Sequence, residues 1–260
     1  MSELWLNQHY ADHWCGIDAF QAAASQAGTV YRELEQRQTL AFELGGQRYF
    51  IKRHYGVPWR EILKNLVLGR LPVVSARNEF VAINALQALG VAVPEPAAYG
   101  KRGMLPSRIE SFLVTVDVGP HQSLEDYCRH WASEPPSFVH KQELLHAVAR
   151  IARSMHSAGI CHRDFYLCHF LRRESDGTLV LIDLHRALCK SRLAARWLIK
   201  DLAGLYFSAM DCGLTRRDLL RFMRAYRQCS LRTLPDSDAE FWRKVEERAL
   251  KLYRKHQQRI

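Results

Sequence analysis

The chain has 260 residues, of which 48% are hydrophobic and 25% are charged. This balance is typical of a globular protein with a sizeable core, in one domain or in two closely joined lobes, and it excludes a low-complexity or repeat protein. The 37 Lys and Arg against 27 Asp and Glu give a net charge of +10, which indicates an anionic partner such as a nucleic acid, a membrane surface or a phosphorylated substrate.

The sequence has no run of about 20 apolar residues that would span a membrane, and its first residues lack the pattern of a signal peptide. We therefore expect a cytoplasmic protein. The seven cysteines are an odd number without a CxxC pair. They predict reduced, mostly buried thiols, and neither a disulfide framework nor a zinc site.

The first part of the chain predicts a short helix over residues 19–27, followed by three strands. The strand segments are residues 30–34, 39–44 and 48–54. Gly45-Gly46 predicts a hairpin turn between the last two strands. Alternation places Lys52 on the same face as Phe50, where it is either a solvated lysine or an ammonium group directed into a cleft.

Residues 54–75 form a basic, amphipathic insertion. Its cations include Arg60, Lys64 and Arg70, and they alternate with Trp and aliphatic residues, so one helical face offers apolar contact and the other offers positive charge. The segment either covers the small lobe or meets an anionic lipid surface. An acidic carrier protein that bears an acyl chain would suit the same pairing.

A further helix follows Ser75, its predicted N-cap, and ends near Gly90, with Glu79 in its first turns. There Glu79 complements the helix dipole or pairs with another side chain. The apolar segment 108–118 predicts a strand, and residues 140–158 predict a helix.

That helix leads to His162, Arg163 and Asp164. The following segments, near 170–172 and 179–182, predict a hairpin with an Asp-Gly turn, which brings Asp164 and Asp183 to one end. Two carboxylates so placed suit a site where one orients a hydroxyl nucleophile and the other holds a divalent metal on a polyphosphate.

Several motifs together resemble one family. They are GTVYR at 28–32, YFIK ending at Lys52, VSARNE ending at Glu79, HRDFYLCHF from His162, and IDLHR ending at Arg186. These motifs are similar to those of the lipopolysaccharide core heptose (I) kinases of the WaaP/RfaP type, which belong to the protein-kinase-like superfamily. The match runs over nearly the whole chain.

The resemblance implies an α+β, two-lobed, protein-kinase-like fold. Its N-lobe, residues 1–117, would have an antiparallel sheet and one helix, and residues 118–260 would form a mainly helical C-lobe. The implied activity is ATP-dependent phosphorylation of the first heptose, at its 4-hydroxyl. The implied substrate is the lipid A-core oligosaccharide at the cytoplasmic face of the inner membrane. The basic insertion would then make peripheral contact with that anionic surface, or instead receive an acidic partner such as an acyl carrier protein.

The resemblance also implies roles for residues of the catalytic loop. Asp164 would be the base or hydroxyl-positioning group, with His162 and Arg163 beside it in the loop. Arg186 would offset charge on the transferred phosphoryl group, because Tyr166 stands where protein kinases have a lysine. In such folds an aspartate at the position of Asp201 accepts hydrogen bonds from the loop backbone, although an exposed aspartate on a polar helix face is an equal alternative.

For the nucleotide, the resemblance implies that Lys52 contacts the phosphates and is held by Glu79. Arg37 would substitute for the glycine-rich loop, since residues 35–37 contain no glycine. The backbone of Val116 and Val118 would face the adenine edge.

The metal ligands implied by the resemblance are Asp183 and His169. Protein kinases have asparagine at the position of His169, and imidazole suits Mg²⁺ less well than oxygen. We therefore expect ATP with Mg²⁺ as cofactor, and Mn²⁺ as an accepted substitute.

Three other functions compete with this one. A small-molecule kinase similar to aminoglycoside phosphotransferases would usually have an acidic cleft, whereas this chain is basic. A pseudokinase-like binding scaffold would not need the intact set of Lys52, Glu79, Asp164 and Asp183. A nucleic-acid binder is indicated by charge alone, and no strand interleaves aromatic and basic residues in the way such binders do, so we expect no nucleic-acid partner.

Overall fold

The computed structural model describes residues 2–34, 36–67, 74–230 and 236–258. It contains two compact units, the first formed by Met1–Asn84 with Pro94–Val118 and the second by Ala85–Val93 with Gly119–Ile260. An antiparallel sheet dominates the first unit and helices dominate the second, so the predicted α+β class is confirmed. The lobe boundary expected between residues 117 and 118 stays a prediction.

The first unit is built on six strands. They are β1 (Glu3–Leu6), β2 (Thr29–Leu34), β3 (Arg37–Leu44), β4 (Gln47–Tyr55), β5 (Pro96–Arg102) and β6 (Glu110–Val116). All neighbouring strands are antiparallel, and their spatial order is β1-β5-β6-β4-β3-β2. The three strands expected from the sequence are present and slightly longer than expected.

The β3–β4 hairpin turns at Gly45 and Gly46, whose φ angles of 59° and 77° favour glycine. On β4, Tyr49 and Ile51 are buried in the core while Lys52 lies on the opposite, partly open face. The alternation that was expected for this strand is therefore present.

The helices of the first unit surround this sheet. They are α1 (Gln8–His13), α2 (Ala19–Ser25), α3 (Trp59–Val67) and α4 (Arg77–Ala88), of which the last four residues of α4 belong to the second unit. Tyr10 of α1 and Ala23 of α2 pack into the core beside Phe112 of β6. Neither β1 nor α1 was predicted.

Helix α3 lies within the basic insertion that the sequence indicated. Trp59, Leu63 and Val67 are exposed along one stripe, whereas Ile62 is buried. Arg60 is exposed as well. The side chain of Lys64 is not among those that the structure describes, and Arg70 falls in the range 68–73, outside the described residues.

The second unit has short strands and longer helices. The strands are β7 (His121–Ser123), β8 (Ile160–Cys161), β9 (Phe170–Arg173), β10 (Leu179–Leu181) and β11 (Leu188–Cys189). The helices are α5 (Leu124–Tyr127), α6 (Phe138–Ser157), α7 (Ala195–Ser208), α8 (Arg216–Arg227) and α9 (Asp236–Gln257). The predicted hairpin is present as β9 and β10, with Phe170 opposite Leu181 and Gly177 at φ 72°.

Helix α6 delivers the chain to β8 and to the catalytic loop. It begins two residues before the expected start, because the hydroxyl of Ser137 accepts the amide of His140 as an N-cap. Val148, Ala152 and Met155 form its buried stripe. Among the described residues, no helix has the length and apolar character needed to cross a membrane.

Candidate active site

The loop after β8 is organised around His162, which is fully buried. Its Nε2 donates to the carbonyl of Ile182 at 2.9 Å, and its Nδ1 accepts the amide of Asp164 at 3.3 Å. Burial lowers the pKa of His162, while the charge of Asp201 opposes that shift. The neutral imidazole therefore links the loop to the end of β10 through two hydrogen bonds.

Asp201 on α7 also holds the loop, through hydrogen bonds to its backbone. Its Oδ2 and Oδ1 accept the amides of His162 and Arg163, each at 2.7 Å, as expected for this position. Burial raises the pKa of Asp201, but hydrogen bonding and charge from His156 outweigh it, and the net shift is downward. Arg163 adopts φ 74°, a left-handed conformation that costs a non-glycine residue free energy and needs such support.

Helix α7 reaches the loop because Gly204 lacks a side chain. A Cβ there would lie 3.1 Å from the carbonyl oxygen of Phe165 and 3.2 Å from the ring of Tyr166. The close approach of α7 brings Asp201 within reach of the loop amides.

Asp164 is paired with Arg186. Nη1 of Arg186 lies 2.9 Å from both carboxylate oxygens of Asp164, and about a third of the arginine side chain stays exposed. Arg163 Nη1 also donates to the main-chain carbonyl of Arg186 at 3.4 Å. Burial, together with Arg186, lowers the pKa of Arg163. Arg186 therefore contacts the carboxylate directly, and Arg163 holds the backbone of Arg186.

Asp183 adopts φ 61° and lies between two histidines. Its Oδ1 accepts from Nδ1 of His185 at 2.5 Å, and its Oδ2 lies 3.5 Å from Nε2 of His169. Nδ1 of His169 donates to the carbonyl of Asp164 at 2.6 Å. With the ring neutral, Nε2 carries a lone pair, and a cation placed between Nε2 and the Asp183 carboxylate would be bound by both.

This donor set fits a divalent metal that is bound mainly by a polyphosphate. No group of three or more His, Cys, Asp or Glu side chains in the described ranges is arranged to hold a metal alone. Mg²⁺ commonly takes only one or two protein carboxylates and completes its shell with phosphate oxygens and water. The carboxylate of Asp183, with His169 beside it, meets that lower requirement.

In the first unit, Lys52 and Glu79 form an ion pair. Nζ of Lys52 lies 2.5 Å from Oε1 of Glu79. Lys52 is held centrally on β4, opposite Thr39 of β3 and Leu113 of β6, while Glu79 projects from the first turn of α4 and is buried. A buried carboxylate orients the partly exposed ammonium group more firmly than a surface pair would.

The other residues expected at the nucleotide lie along the same unit. Arg37 begins β3 opposite His54 of β4. Val116 ends β6, and its amide donates to the carbonyl of Glu95 at 2.8 Å. Val118 is the last residue of the unit.

Lys200 and His185 lie beside the predicted site residues, and neither was predicted from the sequence as part of the site. Burial lowers the pKa of Lys200 on α7, while the charge of Asp164 opposes that shift, which marks Lys200 as a further cation near the loop. His185 orients Asp183, although it was considered only as a departure from the usual Phe-Gly pair. The sequence indicated only that another cation was required, because Tyr166 stands where protein kinases have a lysine.

The chain was compared with known proteins. The model of the lipopolysaccharide kinase (Kdo/WaaP) family matches residues 21–226. A lipopolysaccharide core heptose(I) kinase WaaP of Pseudomonas aeruginosa is 45% identical over 260 residues, which cover 98% of this chain and 97% of that protein. One from Escherichia coli is 43% identical over 253 residues, covering 95% of this chain and 96% of the relative.

A solved structure described as WaaP in complex with acyl carrier protein has a TM-score of 0.84 and 41% sequence identity to this chain. It covers 96% of this chain, which in turn covers 99% of it. Given these similarities in sequence and fold, the chain belongs to the lipopolysaccharide kinase (Kdo/WaaP) family.

Proposed function

We propose that this protein is an ATP-dependent kinase that phosphorylates the first heptose of the lipopolysaccharide inner core, with Asp164 as the residue that orients the acceptor hydroxyl. The observation that carries the proposal is the loop held by Asp201, which presents Asp164 in a chain 45% identical to a heptose(I) kinase. The small-molecule kinase and the pseudokinase-like scaffold are not favoured, because the named heptose(I) kinases match over nearly the full length.

The pairing of Asp164 with Arg186 explains how the carboxylate works. A carboxylate has about four lone-pair sites, so a sugar hydroxyl can still donate to Asp164 while Arg186 is bound to it. Orienting the hydroxyl in this way is sufficient for phosphoryl transfer, in which positioning and charge neutralisation contribute most of the rate.

The remaining N–H groups of Arg186 point to its second role, which is to balance negative charge on the transferred phosphoryl group. Lys200 adds positive charge near Asp164 and Arg186. Arg186 and Lys200 would then take the role of the lysine that protein kinases have at the position of Tyr166.

Asp183 and His169 are the ligands proposed for Mg²⁺ or Mn²⁺, which would neutralise charge on the nucleotide phosphates. Lys52, oriented by Glu79, would contact the same phosphates, with Arg37 as an additional cation in place of a glycine-rich loop. The backbone of Val116 and Val118 would receive the adenine edge.

The decisive experiment is ATP turnover on purified lipopolysaccharide that lacks core phosphate. We expect phosphate on the first heptose, at the 4-hydroxyl, with the native protein and none with Asp164→Asn. Asp12→Asn, an exposed aspartate of α1, is the matched control and should remain active. Turnover that survives Asp164→Asn would reject the role of Asp164, and turnover only on small soluble alcohols would reject the substrate.

We further propose that the protein works peripherally at the anionic cytoplasmic face of the inner membrane, through helix α3. The support is the exposed stripe of Trp59, Leu63 and Val67, accompanied by the exposed Arg60. If α3 only covered the sheet, its apolar stripe would be buried. An interfacial helix instead places such a stripe at the lipid headgroups.

An acyl carrier protein is a second proposed partner, supported by the name of the similar structure. The second unit contains a cavity of about 420 Å³, within the range of small-ligand pockets, which is lined largely by apolar side chains. They include Leu144, Leu145, Leu205, Leu219, Phe222 and Trp242. An acyl chain suits such a cavity, and the basic helix α8 suits an acidic carrier.

Co-purification tests this partner. We expect acyl carrier protein to be retained by the native protein at low salt and lost from an Arg217→Glu, Arg224→Glu variant, both positions being exposed on α8. Equal retention by both proteins would reject this surface of α8.

A further inference from the structure

A buried chain of hydrogen bonds runs from helix α8 to the catalytic loop. The hydroxyl of Tyr226 lies 2.8 Å from Nδ1 of His156, whose Nε2 lies 3.3 Å from Oδ2 of Asp201. Asp201 in turn accepts the amides of the loop. Tyr226, His156 and Asp201 are all more than nine-tenths buried, so a polar atom that lost its partner here would be costly.

The hydrogens in this chain follow from its donors and acceptors. Asp201 already accepts two backbone amides and is an ionised acceptor, so Nε2 of His156 must carry the hydrogen that faces it. With the ring neutral, Nδ1 presents a lone pair, which accepts the hydroxyl hydrogen of Tyr226. Asp201 thus requires the Nε2–H tautomer of His156, and the hydroxyl of Tyr226 holds the ring in the orientation that directs this N–H at Asp201.

Packing fixes where this hydroxyl points. The ring of Tyr226 lies edge-on to Trp242, with centroids 5.7 Å apart, and stacks on Phe222 at 6.3 Å. Nη1 of Arg153 also donates to the main-chain carbonyls of Tyr226 and Arg227, each at 3.2 Å. Contacts from α6, α8 and α9 therefore hold one rotamer.

We propose that Tyr226 is a positioning residue for the kinase reaction. Its buried side chain acts through His156 and Asp201 on the conformation of the loop that presents Asp164. Arg163 keeps its left-handed conformation while Asp201 holds both loop amides, and Asp201 is aligned by the N–H of the His156 ring that Tyr226 orients. The inference rests on the proposed function, since the state of the loop is measured as phosphoryl transfer.

Tyr226→Phe is the direct test, because it keeps the ring and removes only the hydroxyl. We expect kcat to fall about fivefold, the effect of one lost hydrogen bond, with the KM values for ATP and acceptor unchanged. Tyr253→Phe is the matched control, since its exposed hydroxyl donates to Asp211 at 2.7 Å on the same unit. A native kcat in Tyr226→Phe, or an equal loss in both variants, would overturn the proposal.

A double-mutant cycle separates this role from a general loss of packing. If the hydroxyl acts through the imidazole, adding Tyr226→Phe to His156→Gln changes kcat no further. Additive losses would mean that Tyr226 supports the fold independently of His156, which contradicts the proposal.

Imidazole ¹H–¹⁵N spectra provide a measurement that is independent of activity. We expect His156 to be the Nε2–H tautomer in the native protein, and we expect the ¹⁵N resonance of Nδ1 to move in Tyr226→Phe, where the lone pair of Nδ1 loses its hydrogen bond. An Nδ1–H tautomer or an imidazolium in the native protein would overturn the assignment. If the native protein did not phosphorylate lipopolysaccharide, the proposed function would fail while this spectroscopic test still stood.

Discussion

Arg186 and Asp164 lie 22 residues apart in the chain, yet Nη1 of the arginine contacts both oxygens of the carboxylate at 2.9 Å. The pair joins the loop after β8 to the turn after Asp183. We infer that Arg186 sets the orientation of Asp164 as well as balancing phosphate charge.

Replacing Arg186 by Gln should lower kcat by about 10- to 100-fold with little change in the KM for ATP, because a charge-assisted hydrogen bond of ~1.5–3 kcal/mol is lost at the reacting group. Steady-state kinetics at saturating ATP measure this. Arg173→Gln, which breaks an exposed arginine pair with Asp176, serves as control and should retain native kcat. An unchanged kcat in Arg186→Gln would show that the pair is only structural.

Lys52→Met should reduce kcat/KM for ATP by about 100-fold, because an oriented cation is removed from the phosphates. Binding of the lipopolysaccharide acceptor should hardly change, which a direct binding assay can measure. Lys101→Met, a strand lysine paired with Glu3 in the same unit, is the matched control. Equal losses for nucleotide and acceptor would argue against a phosphate contact.

Local signals predicted much of this fold. Gly45-Gly46 and Asp176-Gly177 identified two hairpins, because these turns depend on backbone conformations that glycine favours. In contrast, β1 was not predicted, since Glu3 pairs with Lys101 and nothing near residue 3 encodes a partner so distant in sequence. Strand pairing over such a separation is decided by tertiary packing.

The same distinction applies to the site. The motif positions of Asp164, Asp183 and Lys52 were evident in the sequence, whereas only the resemblance indicated Asp201 as an anchor of the loop, with an exposed aspartate as an equal alternative. The contacts of Arg186 with Asp164 and of Tyr226 with His156 join residues 22 and 70 apart. Side chains so far apart in sequence come into contact only after the helices have packed, so the sequence did not predict these pairs.

His169→Asn should shift metal preference. An imidazole beside Asp183 makes Mn²⁺ relatively more effective, and an amide oxygen in its place should favour Mg²⁺. We expect the ratio of activity with Mn²⁺ to activity with Mg²⁺ to fall severalfold, and titration of each metal at fixed ATP measures it. His13→Asn, an exposed histidine of α1, is the control. An equal ratio in all three proteins would exclude His169 as a metal neighbour.

The stability of the folded protein in acid should depend on the ionisation of Asp201. Its pKa in the folded protein lies below the ordinary value of 3.8, since hydrogen bonding and charge from His156 outweigh the effect of burial. A lowered pKa means that its stabilisation is complete above pH 3.8 and is lost as pH falls through the folded pKa.

Urea unfolding of the native protein and of Asp201→Asn tests this. The difference in free energy of unfolding should be constant between about pH 5 and 7 and should narrow as pH falls below about 4, where Asp201 takes up a proton in the unfolded state before it does so in the folded state. A difference that stays constant to pH 3 would mean that the folded and unfolded states titrate alike.

The exposed stripe of α3 should determine membrane association. Changing Trp59, Leu63 and Val67 together to Ser removes most of the apolar surface that α3 exposes, and vesicle partitioning should fall at least about tenfold. The control changes three comparably exposed apolar residues elsewhere, Ile17, Phe138 and Val139, and should bind like the native protein.

The positive charge of Arg60 on α3 should add a salt-dependent contribution to membrane binding. Arg60→Glu should weaken binding to vesicles that contain anionic phospholipid, since a basic residue near an anionic leaflet contributes ~1 kcal/mol, and should leave binding to neutral vesicles unchanged. Co-sedimentation at low and moderate salt separates the two contributions, because only the electrostatic one is screened. Native partitioning by the triple Ser variant would mean that the protein reaches its lipid-linked substrate through another surface, and α3 would then have no role at the membrane.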